Sequence, residues 1–141
     1  MPGKEEYLDS EKYQIRAWDW DRPGNIVAEI TQLNEIRRRN PALQSHLGLT
    51  FLPTANGQVL YFEKATPDRD NVVLAAISLD PFNVQRSGIE VPFWRFDLPQ
   101  GASLAAADLV TGETQRWPGG WRDVVLTPAR PYALWRVSPA A

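Results

Sequence analysis

The sequence predicts a mostly β protein, with a C-terminal antiparallel β-sandwich preceded by a loop and a single helix. Three observations carry this. Only Pro2, Pro23 and Pro41 precede His46, and the remaining nine of the twelve prolines recur roughly every ten residues, a spacing that suits short strands and turns. One segment alone, between Pro23 and Pro41, has a clear helical period. After Leu47 the chain breaks into roughly eight short apolar or alternating runs separated by turn residues, the pattern of strands joined by hairpins and Greek-key connections.

The helix comes first. Ile26, Ile30, Leu33 and Ile36 recur at three- and four-residue steps and share one stripe, while the other face is polar. Asn25 is placed to cap the first free amides with its side-chain oxygen. Glu35 and Arg39 form an i, i+4 pair, and Arg37, Arg38 and Arg39 put positive charge at the C-terminal end of the helix dipole. Pro41 disfavours helical geometry at Asn40 and ends the element. A single apolar stripe needs a surface to bury it.

The strands follow. Asn56-Gly57, between Leu49–Leu52 and Val59–Phe62, predicts a tight type I′ hairpin, because both residues tolerate positive φ. Val72–Ile77 is apolar on both faces and predicts a central, doubly covered strand, ended by Asp80-Pro81. Ile89–Phe93 alternates, and Pro92 restricts it to an edge or a strand end. Further runs at Leu104–Leu109, Thr114–Trp117, Val124–Leu126 and Tyr132–Val137 complete the set, with Thr111-Gly112 and Pro118-Gly119-Gly120 as turns.

Composition bounds the function. At 141 residues there is room for one domain and a fragment of another. With 15 basic and 17 acidic residues interspersed, a net charge of −2 offers no electrostatic footprint for nucleic acid and no basic tract for a membrane surface. The absence of cysteine excludes thiol nucleophiles, disulfides, iron–sulfur clusters and cysteine-ligated zinc, and fits a cytoplasmic protein. Val72–Ile77 is the longest apolar run, far short of the ~20 residues of a membrane span, and MPGKEEYLDS has no signal-peptide core.

Catalytic constellations are scarce. His46 has no second histidine or cysteine with which to share a metal, so no metal site and no cofactor are expected. No glycine-rich phosphate loop and no Gly-x-Ser-x-Gly elbow is present. Glu5, Glu6, Asp9, Glu11, Asp19 and Asp21 cluster near the start; paired carboxylates can serve glycosidic chemistry across a cleft, but a run in an irregular segment reads as solvated surface. Lys12 and Tyr13 place an ammonium beside a phenol, a pair able to hydrogen-bond sugar hydroxyls, but by residue type alone they are an ordinary polar–aromatic pair. Six tryptophans are many for this length, and exposed indole faces are platforms for pyranose rings. Trp135, within Tyr132–Val137, reads as core; Trp117 and Trp121, flanking a turn, suit either role, and Trp94 is a further candidate face.

The string Gly3–Tyr13 followed by Asp19–Ile26, together with Leu33–Gln44, the Leu79-Asp80-Pro81 strand end and Asp108–Gly112, resembles the C-terminal end of the alpha-1,4-glucan:maltose-1-phosphate maltosyltransferases of the alpha-amylase superfamily. The resemblance covers nearly the whole chain. It implies that residues 1–46 are the last loop and closing helix of a catalytic (β/α)8 barrel, and that 47–141 form the β-sandwich beside it. It thereby implies a partner for the helix stripe, since Ile26, Ile30, Leu33 and Ile36 would cover barrel strands.

The resemblance also implies an activity, the retaining transfer of maltosyl units from maltose 1-phosphate to the non-reducing end of an α-1,4-glucan in glycogen or α-glucan biosynthesis. Such transfer runs through a covalent intermediate on an aspartate, with a glutamate as acid and base. Those acids would precede Met1. No carboxylate of this chain is therefore assigned a catalytic role, and the isolated chain is expected to be inactive. Lys12 and Tyr13 match the family's donor-site pair and are the expected substrate-binding residues. A homodimeric full-length enzyme in the cytoplasm is implied, with no nucleic-acid or membrane partner; the alternative is a stand-alone carbohydrate-binding or structural sandwich.

Overall fold

The computed structural model describes residues 17–140. A helix, α1 (Val27–Arg39), and a 3₁₀ turn (Pro41–Leu43) precede eight strands: β1 (Leu49–Phe51), β2 (Val59–Ala65), β3 (Val72–Ser78), β4 (Gln85–Val91), β5 (Ser103–Asp108), β6 (Thr114–Pro118), β7 (Gly120–Leu126) and β8 (Tyr132–Pro139). Six form one antiparallel sheet in the order β1-β2-β3-β8-β5-β6, and β4 pairs with β7 as a separate antiparallel ribbon. The two sheets enclose one apolar core. The mostly β prediction and its eight strands are the observed ones, and no helix among the described residues is long and apolar enough to cross a membrane.

The period of two explains the packing. Tyr61, Leu74, Ala133, Val137, Leu104, Ala106 and Trp117 point inward from the large sheet and meet Ile89, Val91, Val124 and Leu126 of the ribbon. Strand β3 is buried from Val72 to Ala76 because both of its faces are covered. Leu74 and Ala76 enter the core, whereas Val73 and Ala75 face the opposite side, where the 3₁₀ turn packs on β2 and β3. That side also receives the C-terminal half of α1. Ile36, Asn40 and Ala42 are buried there, and Gln32 Nε2 donates to the Val110 carbonyl beyond β5 (3.2 Å).

Local signals act largely as their chemistry requires. The Asn25 side chain accepts the Val27 amide (3.0 Å) at the helix start, and Asn40 turns extended before Pro41 at its end. Asp80 ends β3 by accepting the amides of Phe82 (2.9 Å) and Asn83 (3.2 Å) and the side chains of Asn83 and Gln85; these hydrogen bonds, that of the Asn83 amide group foremost, hold its carboxyl below the usual aspartate range. Pro92 stands just past the end of β4, as an edge residue should.

The Asn56-Gly57 expectation is corrected. Neither residue has positive φ, and the connection from Phe51 to Val59 is longer than a two-residue turn. Its middle is drawn to the ribbon: Thr54 bridges Ile89, Ala55 N donates to Gly88 O (2.9 Å), and Asn56 Nδ2 donates to Gln85 Oε1 and Arg86 O (both 3.0 Å). Hydrogen bonds to the second sheet override the local turn preference. Likewise Pro118-Gly119-Gly120 does not close a hairpin; it carries the chain from the large sheet to the ribbon.

Candidate functional site

Those of the singled-out residues that fall within the described part of the chain are not brought into one cleft. Lys12 and Tyr13 lie outside the described residues, as do Glu5, Glu6, Asp9 and Glu11. Asp19 and Asp21 are exposed, with the Asp19 carboxylate accepting the Asp21 amide (3.1 Å). His46 is exposed, and no group of three or more metal-ligating side chains occurs among the described residues. The tryptophans divide. Trp117 is buried, edge-on to Trp135 at 5.1 Å and covered by Arg122 at 4.6 Å, so it is a core residue and no sugar platform. Trp94 and Trp121 are exposed, at 55% and 58%.

The structure concentrates instead on the junction between α1 and the sandwich. Asn71, just before β3, donates to Asn40 Oδ1 (3.2 Å) and accepts the Ala42 amide (3.0 Å), while Asn40 Nδ2 returns to the Ile36 carbonyl (2.8 Å). Each of these buried polar groups has a partner, which makes the joint between helix and sheet geometrically specific. Lys64 is buried and donates its ammonium to the Ser45 (2.7 Å) and Leu47 carbonyls, clamping the segment that leads into β1. Gly48 follows with φ +70; a Cβ there would lie 2.1 Å from the Ala65 carbonyl oxygen, so only glycine fits.

A cleft of about 520 Å³ lies at this junction, with Pro41, Ala42, Ser45, Gly48, Arg69 and Arg95 among its walls. The two arginines among its walls are neutralised from behind. Glu63, fully buried, receives a bidentate pair from Arg69 (3.0 Å to each oxygen) and the Nε of Arg95 (3.0 Å), and Arg69 also stacks on Phe96 at 5.0 Å. Beside it the Tyr61 phenol donates to the Glu90 carbonyl (3.1 Å), and burial, with the charges of Glu63 and Glu90, pushes its ionisation well above the ordinary range. This group was not legible in the sequence, where Glu63 is a charge at the end of Tyr61-Phe62-Glu63-Lys64. Its one signal is parity: Glu63 shares the inward face with Val59 and Tyr61, and an inward carboxylate demands partners.

The helix stripe is split by this arrangement. Ile36 is buried on the sandwich, whereas Ile26 (61%), Ile30 (49%) and Leu33 (37%) face outward. Three of the four stripe residues are thus left open, where the apolar stripe of an amphipathic helix ordinarily faces a core.

The family model described as "GLGE, C-terminal" matches residues 51–134. The chain belongs to this GLGE C-terminal family. Among its relatives are alpha-1,4-glucan:maltose-1-phosphate maltosyltransferases from Pseudomonas aeruginosa (51% identical, 97% of this chain and 21% of the relative), Burkholderia pseudomallei (48%, 100% and 13%) and Cereibacter sphaeroides (45%, 97% and 21%). The chain thus spans about a fifth or less of the length of these GLGE relatives. In fold it is similar to part of an Anoxybacillus alpha-amylase, with a TM-score of 0.54 at 18% identity, over 82% of this chain and 23% of that one.

Proposed function

We propose that this chain is the C-terminal segment of a retaining glycosyltransferase that moves maltosyl units from maltose 1-phosphate to the non-reducing end of α-1,4-glucans, in cytoplasmic glycogen or α-glucan biosynthesis. The observation that carries the reading is the identity of 45–51% with three maltosyltransferases along almost the whole chain. The open Ile26–Leu33 stripe supports it, since a closing helix of a (β/α)8 barrel presents such a face to the barrel strands. The segment's role is to seat that helix against the sandwich through Asn40, Asn71 and Lys64, and to contribute Lys12 and Tyr13 to the donor site. The nucleophilic aspartate and the acid/base glutamate of the transfer are not assigned to any residue here, and the chain alone does not catalyse. The full enzyme acts as a homodimer.

A graft tests this. Replacing the matching segment of the Pseudomonas aeruginosa relative with this chain should preserve phosphate release from maltose 1-phosphate in the presence of a glucan acceptor, while the chain alone releases none. A folded graft without phosphate release, or release by the chain alone above a heat-killed control, overturns the reading.

A further inference from the structure

Helix α1 and the 3₁₀ turn occupy the outer side of the large sheet, so the outer face of the β4–β7 ribbon lies on the opposite side of the sandwich. That face carries an unusual pair. Trp121, at 58% exposure, stands in register with Glu90, and its indole leans diagonally across the ribbon onto Gly88: a Cβ at residue 88 would lie 3.2 Å from Trp121 Cε3 and 3.8 Å from Cζ3. Glycine here lets the ring lie down on the backbone. Ala55, held by its amide to the Gly88 carbonyl (2.9 Å), borders the same spot. The ring is thus backed by the sheet on one side and open to water on the other.

The remaining corners are acidic. In register, Gly88 faces Asp123 and Glu90 faces Trp121, so the two carboxylates occupy the diagonal that the indole does not cross. Neither carboxylate makes a hydrogen bond or ion pair with another described residue, and Asp123 is exposed. A flat aromatic face flanked by two free acceptors fits the apolar face of a pyranose ring whose equatorial hydroxyls point outward to donors and acceptors at its edge. Core packing does not require this arrangement, because Trp121 points away from the core that Trp117 fills.

We propose that the outer face of this ribbon, centred on Trp121 with Asp123 and Glu90 at its edges, binds the pyranose rings of an α-glucan chain. The choice of an α-linked glucan rests on the proposed function above; the platform rests on Trp121 and Gly88. Electrophoresis of the 141-residue chain through a gel containing soluble amylopectin tests it. The wild-type chain is expected to be retarded, Trp121→Ala to migrate at least about tenfold closer to its sugar-free mobility in apparent affinity, and Trp94→Ala to behave as wild type. Gly88→Ala keeps the indole but lifts it by its new Cβ, and should weaken retardation without loss of the folded circular dichroism spectrum. Equal migration of wild type and Trp121→Ala, a loss caused by Trp94→Ala alone, or equal retardation in a gel of a soluble β-1,4-glucan overturns the proposal. The graft assay reads phosphate release and is independent of it, so the two readings fail separately.

Discussion

Glu63 shows how one residue organises its surroundings. Its carboxylate is completely buried, yet both of its oxygens are held by guanidinium groups that are themselves only 28% and 32% exposed. Removing one partner of such a group costs more than the pair contributes, because the remaining charges lose compensation. Partial exposure of the arginines moderates this. Glu63→Gln is expected to lower the unfolding free energy by about 2–3 kcal/mol, read from urea denaturation at constant m-value. An unchanged midpoint would show that water replaces the carboxylate at both arginines. The inward parity of residue 63 is visible in the sequence, but Arg69 and Arg95, its partners, lie 6 and 32 positions away and nothing in a local pattern joins them.

At the scale of the element, α1 has two functions along one stripe. Its last turn belongs to the sandwich and its first turns do not. Ile36→Ala is expected to destabilise the chain by about 2–3 kcal/mol, since a buried isoleucine leaves a cavity, whereas Ile30→Ala should change stability by less than about 0.5 kcal/mol. Thermal melts of the two variants make the comparison directly. The periodicity that predicts the helix is the same for both residues and does not distinguish them. The strands tell a similar story. β3 is legible as a central strand from its unbroken apolar run, but Asn56-Gly57 is not the tight turn its dipeptide suggests, because the Asn56 amide group is bound to β4, which the local sequence does not reveal.

At the scale of the whole molecule, the open Ile26–Leu33 face and the share of the relatives' length that this chain spans point the same way. On the proposed function, that face is where the helix docks. A contiguous exposed apolar stripe favours self-association. The 141-residue chain is expected to form concentration-dependent oligomers in sedimentation velocity, and the double substitution Ile30→Glu with Leu33→Glu to shift it toward the monomer without lowering its melting temperature. A wild-type chain that stays monomeric at high concentration removes the stripe as a docking surface.

Periodicity and punctuation were sufficient for the eight strands, the helix and its two ends, because those depend on backbone preferences and on the alternation of apolar side chains within a few residues. The same pattern puts Trp135 against the core and does not distinguish Trp117 from Trp121, since two indoles flanking one glycine turn are locally equivalent. Their fates were settled by the crossing of the chain from the large sheet to the ribbon at Gly119 and Gly120, which turns Trp117 inward onto Trp135 and Trp121 outward onto Gly88. Burial, ion-pair partners and the open face of an indole all depend on which distant strands meet, and that is a property of packing rather than of neighbouring residues.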